Sequence, residues 1–143
     1  MSKEVWTKAP LRIGISGGAT DLPAYSNSFG GSVINATINK FVHVRIKHSH
    51  DESCHFVSHD LDYSEHFEVN KIPEKPTIFS ATYLRLSKIA NKFSALSVES
   101  FCDSPMGSGL GTSSTFCVAL VSGIAEFYGI DLGKQEIANL AFT

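Results

Sequence analysis

Through the first half of the chain, apolar and polar residues alternate with the two-residue period of strands that bury one face. This alternation predicts strands at 5–9, 11–16, 32–38, 41–48, 54–58 and 65–69. A segment rich in glycine and small polar residues follows the second strand, and we predict a loop there at 17–30. The first half of the chain is therefore expected to be mainly sheet.

The second half of the chain changes to helical spacing after a break at 71–76, which contains two prolines. Apolar residues at helical intervals predict a helix over 78–93 with one core face. That face consists of Ile78, Tyr83, Leu86, Ile89 and Phe93. The further predicted elements are a strand at 96–102, a long apolar helix after 112, a turn at 129–133 and a helix from about 134. This order of elements indicates an α+β fold.

The composition is that of an ordinary globular domain, because 43% of the 143 residues are hydrophobic and 18% are charged. No apolar run approaches the roughly 20 residues of a membrane span, and no signal peptide is recognised, so we expect a cytoplasmic protein without a membrane partner. A net charge of −2 without a Lys/Arg cluster argues against nucleic acid. The cysteines, Cys54, Cys102 and Cys117, are scattered and are interpreted as reduced thiols.

Candidate chemistry lies at 105–115, which reads Pro-Met-Gly-Ser-Gly-Leu-Gly-Thr-Ser-Ser-Thr. Alternate glycines can bring backbone N–H groups close to an anion, and the hydroxyl residues open a helix whose N-terminus is positive. The loop could also be an ordinary turn, but the strand before it and the helix after it favour a phosphate site. The residues predicted to hold phosphates are Pro105, Gly107, Ser108, Gly109, Leu110, Gly111, Thr112, Ser113 and Ser114.

This loop is neither of the two most familiar phosphate-binding sequences. No Lys follows its last glycine, which excludes a Walker A loop, and its glycine spacing differs from the Rossmann fingerprint. Residues 105–114 instead closely resemble the second motif of the GHMP kinases, Pro-x-x-x-Gly-Leu-Gly-Ser-Ser. That family includes galactokinase, homoserine kinase and mevalonate kinase.

A second region resembles the same family in the expected order. Residues 9–21 read Ala-Pro-Leu-Arg-Ile-Gly-Ile-Ser-Gly-Gly-Ala-Thr-Asp and are similar to its N-terminal motif, in which a strand Arg precedes a loop ending in a sugar-binding Asp. The resemblance implies the GHMP kinase N-terminal domain, a ribosomal protein S5 domain 2-like α+β fold with a mixed sheet packed by helices. It also implies ATP and Mg²⁺ as ligands.

The resemblance implies roles for single residues of both motifs. The implied substrate-binding residues are Arg12, Gly17, Gly18, Thr20 and Asp21. Arg12 would support either a substrate phosphate or a catalytic carboxylate, and the Ser113 hydroxyl would coordinate the magnesium that bridges the nucleotide phosphates. From residue chemistry alone, Asp21 could instead shape a turn, Arg12 could be a surface residue, and Ser113 could cap a helix.

The first motif departs from that of the galactokinases, which carry Gly-Glu-His-x-Asp where this chain has Gly-Gly-Ala-Thr-Asp at 17–21. This variant, the run at 29–38 and the Thr-Ser-Ser-Thr ending of the glycine loop resemble the branch that acts on D-glycero-D-manno-heptose 7-phosphate. The implied reaction is ATP-dependent phosphorylation of the anomeric hydroxyl. The alternatives are another GHMP sugar kinase, such as fucokinase, and a non-catalytic nucleotide- or sugar-binding module.

The length of the chain bears on its activity, because GHMP kinases have two lobes and are about twice as long. We interpret 1–143 as the N-terminal ATP-binding domain, truncated and without the C-terminal domain. The family's catalytic Asp and magnesium-binding Glu are expected beyond 143. No catalytic residue is therefore predicted in the chain apart from possible support by Arg12, and the chain alone is expected to be inactive.

The segment 48–59 is rich in histidine and raises the alternative of a structural metal site. Its spacings match no standard zinc module, and strand alternation places Cys54, His55 and His59 on different faces of a hairpin. We therefore predict a solvated hairpin in this segment without a structural metal.

Overall fold

The computed structural model describes residues 3–69, 71, 73–105 and 107–142. These residues form five strands and four helices. The strands are β1 (Glu4–Ser16), β2 (Ile34–His48), β3 (Ser53–Ser58), β4 (Tyr63–Glu68) and β5 (Leu96–Cys102). The helices are α1 (Pro23–Phe29), α2 (Ile78–Ile89), α3 (Thr112–Tyr128) and α4 (Lys134–Phe142). The α+β class predicted from the sequence is confirmed.

The strands form one sheet in the order β1-β2-β5-β3-β4. β3 and β5 are parallel, whereas the other neighbouring strands are antiparallel. The sheet is therefore mixed, as expected, with β1 and β4 at its edges. The chain returns from β4 through α2 to the central strand β5, and α3 follows β5 directly along the chain.

Two pairs of predicted strands are single long strands in the structure. The predictions at 5–9 and 11–16 are both parts of β1, and those at 32–38 and 41–48 are both parts of β2. A register shift between Pro10 and Arg12 allows β1 to continue past a proline that has no N–H to donate. The break expected at this proline is therefore an irregularity within a strand.

Two helix predictions also need correction. The loop predicted at 17–30 contains α1, which starts where Pro23 supplies a preset φ at a position that needs no N–H donor. The helix predicted at 78–93 ends at Ile89, because Asn91 takes a positive φ of 49° just beyond the helix. Asparagine tolerates this left-handed conformation better than most residues do.

The helices α2 and α3 pack on one face of the sheet and form the core with it, and α4 packs against α3. β2 contributes Val42, Val44 and Ile46 to this core, and α3 contributes Leu120 and Ile124. This packing removes apolar surface from water, which is the main favourable contribution to folding. None of the helices in the described ranges is long and apolar enough to cross a bilayer.

The face of α2 that packs on the sheet differs from the predicted face. Its buried apolar residues are Phe79, Tyr83, Leu84 and Leu86. Ile78, Ile89 and Phe93, which the spacing had assigned to the core, are each close to half exposed. Phe79 takes the inward position and stacks on Phe56 of β3. The helix is thus rotated about its axis relative to the predicted orientation.

A glycine lets α3 approach the sheet closely. A Cβ at Gly123 would lie 2.8 Å from Cδ1 of Ile46 and 2.9 Å from Oγ1 of Thr7. At this contact the Thr7 hydroxyl donates a 2.8 Å hydrogen bond to the Ala119 carbonyl. The position of α3, and therefore of the loop before it, is set by direct contact with β1 and β2.

The opposite face of the sheet carries charged side chains. Arg45 of β2 forms ion pairs with Glu4 at 2.6 Å and with Glu99 at 3.8 Å, and Lys47 contacts Glu99 at 3.3 Å. The hydrogen bond from Arg45 is the main reason that the pKa of Glu4 is lowered. This face thus matches charges across three neighbouring strands, although exposed pairs of this kind contribute little individually to stability.

The end of β5 is fastened to β2 through Asp103. The Asp103 carboxylate accepts a 2.9 Å hydrogen bond from the Phe41 N–H and lies 3.3 Å from Nε2 of His43. The Asp103 N–H in turn donates to the Phe41 carbonyl at 2.9 Å. The Phe41 N–H is the main cause of the lowered pKa of Asp103, and the bond from His43 adds to it.

We expect the Asp103 contact to make stability depend on acid. Because the folded-state pKa lies below the usual value of about 3.9, the contribution is present above that value and is lost as the pH falls through the folded-state pKa. Asp103→Asn should therefore show a shallower loss of stability on acidification than the parent chain, measured by urea unfolding at a series of pH values. Asp62→Asn, in the β3–β4 turn, is the control. If the free energy of unfolding fell equally steeply with acidification in the parent chain and in Asp103→Asn, the assignment would be contradicted.

Candidate functional site

The loop between β5 and α3 contains three glycines in a left-handed backbone conformation. The φ angles are 77° at Gly107, 72° at Gly109 and 74° at Gly111. A Cβ added at Gly107 or Gly109 would meet no atom within 4 Å. Glycine is required at these two positions by backbone conformation and not by lack of space.

The N-terminus of α3 has no side-chain cap. Gly111 occupies the N-cap position, and the first helical bond from this end runs from the Thr115 N–H to the Gly111 carbonyl at 3.0 Å. The N–H groups at 112–114 precede that bond, and no side chain caps them. The alternative that Ser113 serves as the cap is therefore not found. Uncapped N–H groups at the positive end of a helix are a typical anion site.

The glycine loop and the start of α3 enclose an open cavity that we name the cradle. It has a volume of about 250 Å³. Its lining residues are Gly107, Gly109, Gly111, Thr112, Ser113 and Ser114. The structure thus brings these six predicted phosphate residues together in one concave surface. Leu110 and Ser108 belong to the same loop, and Pro105 precedes it.

A second cavity, the apolar cavity, lies next to the cradle. Its volume is also about 250 Å³. It lies between the N-terminal ends of α2 and α3 and the β3–β4 turn, and its walls include the aromatic rings of Tyr63, Phe79 and Phe116. Thr112 and Ser113 line both cavities. An apolar surface therefore meets the uncapped N–H groups at the first turn of α3.

Arg12 connects the two sequence motifs. The backbone N–H of Arg12 donates a 3.1 Å hydrogen bond to the Leu110 carbonyl. The Arg12 side chain lies against Gly111, where an added Cβ would be 3.3 Å from the Arg12 Cγ and Nε. The Arg12 guanidinium also donates from Nη1 to the Asn35 Oδ1 at 3.1 Å. Arg12 is therefore more than an isolated surface residue, because it holds the end of the glycine loop against β1 and places a positive charge beside it.

The loop at 17–21, which belongs to the first motif, is closed by tight backbone contacts with residues 31–32. A Cβ at Gly17 would lie 2.0 Å from the Ser32 carbonyl oxygen, and one at Gly31 would lie 1.8 Å from the Thr20 carbonyl oxygen. The Thr20 hydroxyl donates to the Ser32 carbonyl at 3.1 Å and accepts from the Ser32 N–H at 3.3 Å. In this structure the Thr20 hydroxyl thus holds the loop closed, and Gly18 is exposed beside it.

Asp21 follows this closed loop and is exposed. Within the described part of the chain its carboxylate takes no hydrogen bond and no ion pair. Both carboxylate oxygens are therefore available to a ligand. No contact among the described residues supports the alternative that the Asp21 side chain stabilises a turn. No hydrogen bond between described residues links Asp21 to the cradle.

The donor set at the cradle fits magnesium only in part. Thr112, Ser113 and Ser114 offer hydroxyls, and hydroxyl oxygen is a suitable ligand for a hard cation that keeps several waters. Among the described residues, no converging group of three His, Cys, Asp or Glu side chains lies at the cradle. A magnesium ion here would take its charged ligands from nucleotide phosphates or from protein groups outside the cradle.

Several features of the site were not predicted. Asp103 accepts a hydrogen bond from Phe41 of β2, and Asn35 accepts one from Arg12 of β1. The apolar cavity is lined by residues from five separate segments of the chain. Asp103 precedes Ser104 and Pro105 in a pattern typical of a turn, but the sequence gives no sign of its partner on β2.

Comparison with known proteins agrees with this architecture. The sequence profile described as GHMP kinases N terminal domain matches residues 77–143. The D-glycero-alpha-D-manno-heptose 7-phosphate kinase of Campylobacter jejuni is 35% identical over 98% of this chain and 42% of its own length. The L-fucokinase/L-fucose-1-P guanylyltransferase of Bacteroides fragilis is 32% identical over 94% of this chain and 17% of its own length.

A solved structure shows the same fold. The D-glycero-D-manno-heptose 1-phosphate kinase from Bacteroides thetaiotaomicron superimposes with a TM-score of 0.84 and 29% identity, over 96% of this chain and 46% of that protein. The chain thus spans less than half the length of each of these relatives. The fold, the two motifs and these similarities identify the chain as a member of the GHMP kinase family, with the fold of its N-terminal domain.

Proposed function

We propose that the chain is the nucleotide-binding part of an ATP-dependent sugar kinase that phosphorylates the anomeric hydroxyl of D-glycero-D-manno-heptose 7-phosphate. The observation that carries this proposal is that the apolar cavity and the cradle share Thr112 and Ser113. A nucleoside triphosphate has the same two parts, a flat aromatic base and a chain of charged phosphates. The GHMP kinase relationship supports the same ligand.

The apolar cavity is the proposed site for the nucleobase. Tyr63, Phe79 and Phe116 present aromatic surface to it, and Ser58 and Ser100 add hydroxyls. Aromatic rings favour stacked or edge-to-face contact with a flat base, and a few polar groups fix its orientation. The base would anchor the nucleotide, and the phosphates would extend along the first turn of α3.

The cradle is the proposed site for the phosphates. N–H groups at 112–114 and those of the glycine loop can donate to phosphate oxygens, and the helix dipole adds to this attraction. Phosphoryl transfer depends mainly on positioning and on charge stabilisation of this kind. Magnesium, when bound, would offset the charge of the phosphate oxygens, and Ser113 is the residue proposed to hold it through its hydroxyl.

The loop at 17–21 is the proposed site for the sugar. Asp21 has an exposed carboxylate without a protein partner in the described residues and could accept hydrogen bonds from two sugar hydroxyls. Arg12 lies beside the end of the cradle and is suited to a phosphate oxygen or a second carboxylate. The name of the heptose 7-phosphate kinase relative supports this acceptor. The name of the solved heptose 1-phosphate kinase supports heptose as the sugar but not its anomeric hydroxyl as the acceptor.

The proposed reaction forms a bond between the anomeric oxygen and the γ-phosphorus and breaks the bond to ADP. The proton of the anomeric hydroxyl must pass to a base. The chain spans 42% of the length of the heptose 7-phosphate kinase relative. We therefore place the catalytic base that accepts this proton, together with a further magnesium ligand, in the rest of the complete protein. Residues 1–143 would then supply binding and positioning without turnover.

A second candidate acceptor is L-fucose. It is favoured by the 32% identity to the fucokinase relative, which covers 94% of this chain. The nucleotide part of the proposal is the same for both sugars, so the two acceptors differ only in contacts around 17–21.

We expect Gly109→Ala to abolish or strongly weaken ATP binding. Alanine at a φ of 72° costs about 1–2 kcal/mol and shifts the loop N–H groups away from the phosphates, so affinity should fall by about tenfold or more. Gly129→Ala is the matched control, because Gly129 also has a positive φ of 74° and open space around an added Cβ, at the other end of α3. Calorimetry should show similar losses of stability and unequal losses of ATP affinity. Equal affinity for both variants would argue against the cradle as the phosphate site.

For the complete protein, we expect ATP-dependent phosphorylation of D-glycero-D-manno-heptose 7-phosphate with a higher kcat/KM than that of L-fucose or galactose. Asp21→Asn should reduce kcat/KM for the sugar by roughly a hundredfold, because it removes the charged hydrogen-bond acceptor. ATP affinity should stay unchanged. Asp131→Asn, at an exposed aspartate in the segment between α3 and α4, is the control. A preference for L-fucose would select the second candidate, and an Asp21→Asn variant with normal kinetics would remove Asp21 from the sugar site.

A further inference from the structure

Three potential metal ligands meet on the β3–β4 hairpin. Asp51, His55 and His66 each offer a ligand atom, and these atoms all lie within 4.8 Å of one another. Nε2 of His55 is 2.9 Å from Oδ1 and 3.0 Å from Oδ2 of Asp51. The three side chains are at or near the surface, so an ion could reach them from solvent.

The register of the hairpin brings the two histidines together. His55 and His66 are directly opposite each other in the antiparallel β3–β4 pair, which places both on one face. Their ring centroids are 4.7 Å apart, and the ring planes are inclined by 39°. This face is opposite the core, because the neighbours of His55 in β3, Cys54 and Phe56, are buried among the apolar residues.

Asp51 is held in place by other hydrogen bonds. Its Oδ1 accepts from the Ser49 hydroxyl at 2.8 Å and from the Ser53 N–H at 3.0 Å. These bonds fix the carboxylate in the turn before β3 and direct it toward the histidines. Partners of this kind orient ligands in metal sites and strengthen binding.

We propose that Asp51, His55 and His66 bind one divalent transition-metal ion of the zinc class. Two imidazole nitrogens and a carboxylate oxygen are a ligand set suited to zinc, with water completing the coordination. Ligand atoms about 2.0–2.1 Å from a tetrahedral ion are about 3.3 Å apart. The ligand atoms, now within 4.8 Å of one another, would have to move closer together for the ion to bind. The ion replaces the hydrogen bond between His55 and Asp51.

The proposed ion is separate from any magnesium at the cradle. His55 pairs with Ser97 near the start of β5, whereas the glycine loop follows the end of β5. Five residues of strand, about 17 Å, separate these two levels of the sheet. The ion would join the 49–53 turn to the hairpin, and the inference does not depend on the proposed kinase function.

The histidine-rich segment does not form this site by itself. His66 comes from β4, outside the run at 48–59, and Cys54 is buried on the opposite face. His48, His50 and His59 are not part of the converging group found in the described residues. The prediction of no structural metal rested on that run alone and did not consider the cross-strand pair.

The test is titration of the purified protein with Zn²⁺ against a chromophoric chelator, with Co²⁺ absorption as a second probe. We expect one ion per chain, a rise in melting temperature with Zn²⁺, and no comparable response to Mg²⁺. His55→Gln and His66→Gln should each weaken Zn²⁺ binding by roughly tenfold or more. His59→Gln, an exposed histidine outside the cluster, should bind as the parent does.

Melting curves recorded without metal establish that the variants are folded. If no Zn²⁺ bound even at millimolar Zn²⁺ concentrations, the proposal would be overturned. Equal Zn²⁺ affinities for His66→Gln and the parent would also overturn it, because scattered surface histidines would then account for the binding. Loss of binding in both cluster variants, with retention in His59→Gln, would support it.

Discussion

The contact between β1 and the glycine loop is the constraint on which the site depends. β1 is an edge strand, and Arg12 directs its N–H to the Leu110 carbonyl of the loop. The same residue lies against Gly111, where any side chain would press on Arg12. Arg12 therefore fixes the end of the loop, and the contact of Gly123 with β1 and β2 fixes the helix that follows it. The other end of the loop is fastened by Asp103 to β2, so both ends are fixed by the sheet while the glycines between them stay open.

The glycines of the two glycine-rich regions, 17–31 and 107–111, have different physical roles. Gly17 and Gly31 lie where a Cβ would collide with backbone, so they allow two chain segments to touch. Gly107 and Gly109 face open space and are needed for their positive φ alone. Open space in front of backbone N–H groups is what an incoming anion needs. The first set closes a loop, whereas the second set leaves a surface uncovered, although both appear as similar glycine-rich runs in the sequence.

Local patterns in the sequence predicted the class of fold and most of its elements, because strand alternation and helix periodicity depend on near neighbours. The glycine loop was found because its residues are contiguous. The rotation of α2, the continuity of β1 past Pro10 and the anchoring of Asp103 were not predicted. Each of these is decided by a partner distant in sequence, and a single sequence does not specify that partner. The role of Asp21 stays a prediction.

The sheet places unrelated chemistry at two levels of the same strand. After the end of β5 the chain enters α3, whose first N–H groups have no side-chain cap. Uncapped N–H groups at a helix N-terminus attract anions. At the start of β5, the neighbouring hairpin brings His55 opposite His66, and imidazole nitrogens attract cations. The hairpin surface depends on register, since a shift of one residue in β3 would turn His55 into the core and bring Cys54 outward. The burial of Phe56 opposes that shift, because it would expose a fully buried aromatic ring. The core therefore fixes the register on which the His55–His66 pair depends.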